Sequence, residues 1–224
     1  MDLYRALPAL RQHHLLRDKS VALIGVSTIV CDATACYFEL NKPKYWRKRP
    51  EGGTAIGVAA IGGTIESGEG LTTCLRRETE EELGARIRIE HAQSTYLIHD
   101  WQVVDTIRLP LSKKRPTPLM VILLPPRLGG AEMPDHLAIA VFRTTLRNEP
   151  APHDLFGLLR LQREAVGEFF ARDEWPLQEV QEHPAMAALV NDEIPEQPFL
   201  RPVLTARALQ TLIRTGHLDA ATDL

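Results

Sequence analysis

The chain lacks any long apolar run: its longest, VALIGVSTIV from Val21 to Val30, includes Ser and Thr and is about half the length a bilayer-spanning helix requires. No membrane partner is therefore expected. Cysteine is scarce, with only Cys31, Cys36 and Cys74 in 224 residues. The odd count, with Cys74 expected on a buried helix face, argues against a disulfide-stapled scaffold and points to a reducing, cytoplasmic setting. The run CDATAC has a spacing that could bind metal, but no second cysteine pair accompanies it. Charge of one sign is not in excess either: 26 Lys and Arg face 29 Asp and Glu, for a net charge of −3. That balance offers no overall attraction to polymeric nucleic acid. The chain contains no GxGxxG, no GxSxG and no internal repeat, which excludes a dinucleotide-binding fingerprint, a serine-hydrolase elbow and a solenoid. Its first residues, MDLYRALPALRQHHLLRDKS, have no apolar core or cleavage site of a secretion signal. They read as a short amphipathic helix with His13 and His14 on its surface.

What is present is an ordinary globular composition, 44% hydrophobic and 25% charged, long enough to bury a full core. Apolar runs with strand character recur along it. The first, VALIGVSTIV, reads as a buried strand. CYFEL, TAIGVAAIG, RIRIEHA, STYLIHDW, VDTIRLPL, LMVILLPP, HLAIAVFRTTL and LFGLLRL follow. SKKRPTP and PPRLGGAEMPD read as turn-rich loops. Helices are expected near 163–171 and 202–215. Many strands around few helices argue an α+β or α/β sandwich rather than a doubly wound fold. A short N-terminal segment (1–19), one catalytic-sized domain (20–175) and a helical C-terminal extension (176–224) are the expected divisions. The extension could pack on the domain or mediate a homodimer.

The most informative stretch runs from Gly62 to Ala85, GGTIESGEGLTTCLRRETEEELGA. Seven residue types stand at set intervals: Gly63, Glu69, Arg77, Glu78, Glu81, Glu82 and Gly84. At average residue usage a chance match at one start is roughly one in 10⁸. Leu71 to Leu83 holds helix formers and no proline, and Gly84 stands where a left-handed cap stops a helix. At about 3.6 residues per turn, Glu78, Glu81 and Glu82 share an arc of roughly 120° with Leu71, Cys74 and Leu75. Three carboxylates on an apolar, inward face repel one another and demand a cation. A hard divalent ion that takes oxygen ligands and bridges to phosphates fits that demand better than zinc, because no His or Cys cluster accompanies the acids. The double glycine permits close backbone approach, and Glu69, placed before the helix, can reach back to Arg77.

These residues resemble the Nudix box, G-x5-E-x7-R-E-U-x-E-E-x-G-U with U aliphatic, and every fixed position matches. Thr79 and Ala85 occupy the two aliphatic positions, a departure that concerns packing. The box covers 23 residues. What the resemblance implies is a Nudix-like α/β/α sandwich with a mixed sheet, in which water attacks the pyrophosphate of a nucleoside diphosphate linked to another group. Mg²⁺ or Mn²⁺ is then held by Glu78, Glu81 and Glu82 with a backbone carbonyl of Gly62 or Gly63. Arg77, braced by Glu69, orients Glu78. Glu78 is the first candidate for the general base, Asp154 in the loop NEPAPHD the second, and Glu149 the third.

KPKYWRKRP, residues 42–50, gathers five basic residues and two aromatics. Besides a solvated hairpin loop, it can be read as a substrate rim in which Arg47, Lys48 or Arg49 meets phosphate and Tyr45 or Trp46 stacks on a base. Tyr96, His99 and Trp101 follow the box without an assigned role. No signature outside the box selects a substrate, so a nucleotide sugar, ADP-ribose, a dinucleotide and a nucleoside triphosphate all fit. The competing class is a non-catalytic module of the same fold that binds a nucleotide metabolite; such modules lose box acids, and this chain keeps Glu69, Glu78, Glu81 and Glu82.

Overall fold

The computed structural model describes residues 1–112, 115–126, 133–191 and 193–224. Parts of the expected loops SKKRPTP and PPRLGGAEMPD lie outside the described residues. In chain order the elements are α1 (Leu3–Ala6), β1 (Val21–Cys31), β2 (Ala35–Leu40), β3 (Arg47–Lys48), β4 (Thr54–Ala59), β5 (Ile61–Thr64) and α2 (Leu71–Leu83). There follow β6 (Ile87–Ile89), β7 (Thr95–His99), β8 (Gln102–Ile107), β9 (Met120–Leu124), β10 (His136–Leu146) and β11 (Gly157–Gln162). The chain ends with α3 (Arg163–Ala171), β12 (Trp175–Pro176), α4 (Leu177–Glu182), β13 (Met186–Val190), β14 (Pro198–Pro202) and α5 (Leu204–Arg214). This is a mixed α+β fold with few helices. Among the described residues no helix is long and apolar enough to cross a membrane.

Two compact units form, the first from residues 1–28, 62–78 and 89–143, the second from 29–61, 79–88 and 144–224. In the first unit β9 runs antiparallel to β10 and parallel to β7, and β7 pairs antiparallel with β8. Met120 to Leu123 of β9 are all buried, as a strand covered on both faces must be. The N-terminal segment is not the single amphipathic helix expected. Proline at position 8 disfavours helical backbone at Leu7, so α1 stops at Ala6 and a 3₁₀ turn takes over from Pro8 to Gln12. Leu3, Leu10 and Leu16 nevertheless bury fully, and the Tyr4 hydroxyl donates to the carbonyls of Leu16 and Lys19 at 2.8 and 2.9 Å.

In the second unit β2 pairs antiparallel with β11 along its whole length and with β4 at its end. β14 lies parallel to β4, and β13 antiparallel to β11. The C-terminal segment thus supplies β13, β14 and the short helix α4 in addition to the expected helix near 202–215. TAIGVAAIG, read as one strand, breaks at Ala60, whose N–H donates to the Thr205 hydroxyl at 2.9 Å instead of a ladder partner. The core is aromatic where α3 meets the strands: Phe38 and Phe170 meet edge to face at 5.4 Å, and Phe169 stacks with Trp175 at 6.1 Å. Gln210 of α5 donates to the carbonyls of Phe170 and Arg172, and Arg214 to those of Phe170 and Ala171. The last carbonyls of α3, which have no partner within the helix, are closed in this way.

Between β1 and β2 the chain turns on Asp32, whose carboxylate accepts from Thr34 N–H, Ala35 N–H and the Tyr37 hydroxyl. Burial pushes this carboxyl up, but those hydrogen bonds prevail and hold it at about 2. The turn sets Cys31 opposite Cys36, and the two are joined as a disulfide. A reading from the odd number of cysteines did not anticipate this bond, and it removes both sulfurs as metal ligands.

Truncating Phe170 to Ala is expected to cost about 3–5 kcal/mol, because its fully buried ring touches both Phe38 and Phe169. Urea unfolding of the variant against wild type measures it.

Candidate functional site

Helix α2 spans Leu71 to Leu83, the bounds read from the sequence. The Gly70 carbonyl accepts from the N–H groups of Thr73 and Cys74 at its start, and Gly84, at φ +59°, ends it in the left-handed conformation. Cys74, Leu75, Thr79 and Leu83 are buried, Glu78 and Glu82 half-buried, and Glu81 exposed. The expectation that all three acids share the inward face is therefore corrected. The buried stripe includes Thr79 and Leu83 and so lies further round the helix than the expected arc. Successive residues differ by about 100°, and this rotation leaves Glu81 on the outer rim. Thr79 and Ala85, the two departures from the aliphatic pattern, are both fully packed.

At the foot of this helix one guanidinium joins two carboxylates. Arg77 Nε and Nη2 donate to the two oxygens of Glu69 at 3.0 and 3.1 Å, and Nη1 lies 2.9 Å from Glu78 Oε1. Nη2 also reaches the Thr64 carbonyl at 3.3 Å. Glu69 accepts a further bond from the Glu66 N–H. The Arg77 hydrogen bonds hold the Glu69 carboxyl at about 2, and Glu69 in turn raises Arg77 above its ordinary value. Burial, reinforced by Glu69, pushes the Cys74 thiol up to about 12, so it is no nucleophile at neutral pH.

Glu78 lies against bare backbone. A Cβ at Gly63 would sit 2.2 Å from Glu78 Oε1, and one at Gly62, where φ is +149°, would sit 2.3 Å from the Val26 carbonyl. Gly25, passed over in the sequence as part of a buried strand, makes the same allowance: a Cβ there would lie 2.9 Å from the Gly63 carbonyl oxygen. Its signal was a glycine interrupting an otherwise apolar strand. The donor set of Glu78, Glu81, Glu82 and glycine carbonyls consists of oxygen alone, which fits Mg²⁺ or Mn²⁺ and not a soft ion.

The other expected site residues are placed differently. Asp154 is exposed and pairs with Lys42 at 3.1 Å, and Glu149 is exposed in the same loop. That loop packs on the end of α2: the Ala151 N–H donates to the Leu83 carbonyl at 2.6 Å and the His153 N–H to the Glu82 carbonyl at 3.3 Å. His153, which sequence reasoning did not single out, stands with its ring against Gly84. Of the basic rim, Arg49 is taken up by Glu174 in an ion pair and by the ring of Phe199, 3.6 Å from its centroid. Trp46 donates to the Asn41 carbonyl at 2.8 Å and meets Phe156 edge to face. Arg47 and Tyr45 remain exposed. A cavity of about 630 Å³ opens beside Glu66 to Thr72, walled by Met1, Arg5 and Arg115. Glu69 lines it; Glu78, Glu81 and Glu82 do not.

The model of the NUDIX domain matches residues 42–192, more than half of the chain. No curated relative matches. A Nudix-family hydrolase of Clostridium perfringens is 17% identical over 64% of this chain and 83% of that one, at a TM-score of 0.40. A protein of Jonesia denitrificans described as a possible asymmetric diadenosine tetraphosphate hydrolase is 13% identical over 91% and 97%, at 0.41. A MutT Nudix hydrolase of Burkholderia pseudomallei is 16% identical over 85% and 95%, at 0.34.

Two substitutions separate shape from function at the double glycine. Gly62→Ala meets backbone with a strained φ and is expected to cost at least about 1–3 kcal/mol. Gly63→Ala meets only the end of a side chain, so its unfolding midpoint should stay near wild type while Glu78 is displaced. Paired urea melts and Mn²⁺ binding by calorimetry check both. Glu69 generates a pH prediction. Held by Arg77 at about 2, it lies below the ordinary glutamate value of 4.5, so its contribution to stability is present above about pH 4.5 and lost as pH falls towards 2. The stability gap between wild type and Glu69→Gln should be flat at neutral pH and close across that window in acid unfolding.

Proposed function

Because this chain belongs to the Nudix family, we propose that it hydrolyses the pyrophosphate linkage of a nucleoside diphosphate joined to another moiety. Nucleotide sugars, ADP-ribose, dinucleotides and nucleoside triphosphates all present that linkage. The observation that carries the reading is the chain Glu69–Arg77–Glu78, which delivers a carboxylate to the Gly63 backbone. Glu78 and Glu82, with Glu81 at the rim and a carbonyl of Gly62 or Gly63, would hold Mg²⁺ or Mn²⁺. When bound, that ion neutralises the diphosphate oxygens against which a water must advance. Glu78 is positioned by Arg77 and accepts the proton that the attacking water gives up. The new bond joins the water oxygen to phosphorus, and the bridging oxygen departs with the other phosphate. Asp154 is the second acceptor, carried by the loop that packs on the end of α2. Arg47, exposed on β3, is the rim residue proposed to meet phosphate; Arg49 is engaged by Glu174 and Trp46 by Phe156. The substrate proposed is a small nucleotide.

Glu82→Gln is expected to lower turnover by at least about two orders of magnitude while the protein remains folded, since it removes a metal ligand and not a core contact. Phosphate release from a panel of nucleoside diphosphate derivatives, with and without Mg²⁺, measures it. Near-normal turnover in the variant sinks the metal assignment. A wild type inert on the whole panel that still binds one member tightly would instead be a receptor.

A further inference from the structure

Away from the acidic helix, the first unit contains a different set of ligand types. We propose that His13, His14 and Asp105 form a second metal site, one that takes a borderline divalent cation, Zn²⁺ foremost, with water as the fourth ligand. One ligand atom from each of the three residues lies within 4.8 Å of the others. Two imidazoles and a carboxylate suit Zn²⁺ and its neighbours in the transition series, whereas the all-oxygen set on α2 suits Mg²⁺.

The two inner ligands are already held in place. The His13 N–H donates to the Leu10 carbonyl, and the His13 carbonyl accepts from Leu16 and Arg17, so the backbone carrying the ring is fixed on both sides. Asp105 sits on β8 opposite Leu97 of β7. Its Oδ1 accepts from the Thr106 N–H at 2.7 Å, which aims Oδ2 at His13 Nε2, also 2.7 Å away. The hydrogen bond from His13 keeps this carboxyl below its ordinary value. An outer hydrogen bond of this kind orients a first ligand. The His14 ring stands 4.5 Å from that of His13, centroid to centroid, and is exposed, which gives the ion an entry path.

Binding rearranges one proton. The Leu15 N–H points at His13 Nδ1 at 3.3 Å while Nε2 faces Asp105, an arrangement that suits the tautomer with its proton on Nε2. Ligation through Nε2 moves it to Nδ1, giving up the long Leu15 contact, and no proton is lost from a neutral ring. The gain is a clip between the N-terminal segment and β8.

The test uses the full chain stripped with EDTA and then held in excess Mg²⁺, so that the acidic helix is occupied before Zn²⁺ is titrated by calorimetry. One Zn²⁺ per chain, a raised melting temperature, and the visible bands of tetrahedral Co²⁺ are expected. His14→Ala changes an exposed side chain and should keep the fold. It and Asp105→Asn should each weaken Zn²⁺ by at least about a hundredfold, beyond the 10–100-fold typical of an outer-shell partner. His99→Ala serves as control, because His99 forms a separate pair with His136, and should bind as wild type does. Absence of Zn²⁺ uptake, or affinity unchanged in both His14→Ala and Asp105→Asn, overturns the proposal.

Discussion

Two carboxylates can approach the same stretch of backbone only if a cation lies between them, and here that cation is the guanidinium of Arg77. Its planar fork grips Glu69 with two parallel hydrogen bonds and leaves the remaining nitrogen for Glu78. A lysine, with one compact charge, could not do both. Much follows from this contact. Glu78 is directed at Gly63, which must lack a side chain. Gly62 must then adopt a conformation closed to other residues, and β1 must carry Gly25 where the Gly63 carbonyl comes close. Six positions between Gly25 and Glu78 are thereby bound to one requirement, the placing of a carboxylate.

The helix that carries these acids was legible in the sequence, both ends included, because its signals are local: helix formers without proline, and a glycine at the stop. The bracing arginine was equally legible, since its partners lie one and eight positions away. The outer position of Glu81 was not. Which side of a helix is buried depends on what packs against it, and spacing alone placed the stripe too far from Thr79 and Leu83. The N-terminal helix was misread for a local reason that was available, the proline at position 8.

The basic loop illustrates the opposite case. Nothing near Arg49 in the sequence reveals that Glu174 and Phe199 will claim it, nor that Trp46 will turn towards Phe156. A cluster of cations and aromatics looks like a binding rim until the distant segments that neutralise it are in place. The loop holding His153 and Asp154 was likewise opaque, because its value lies in backbone bonds to the end of α2 that no side-chain pattern announces.

One feature of the second unit reaches into how the protein is made. Pro198 of β14 lies beside Thr54 of β4, strand parallel to strand, and α5 immediately after it closes the open end of α3. A ribosome therefore releases the early strands long before their neighbour exists. Contacts between parts so remote along the chain close slowly, and in that interval the bare flank of β4 is an invitation to foreign strands. Nascent chains stalled short of residue 198 should be the form of this protein that most needs a chaperone.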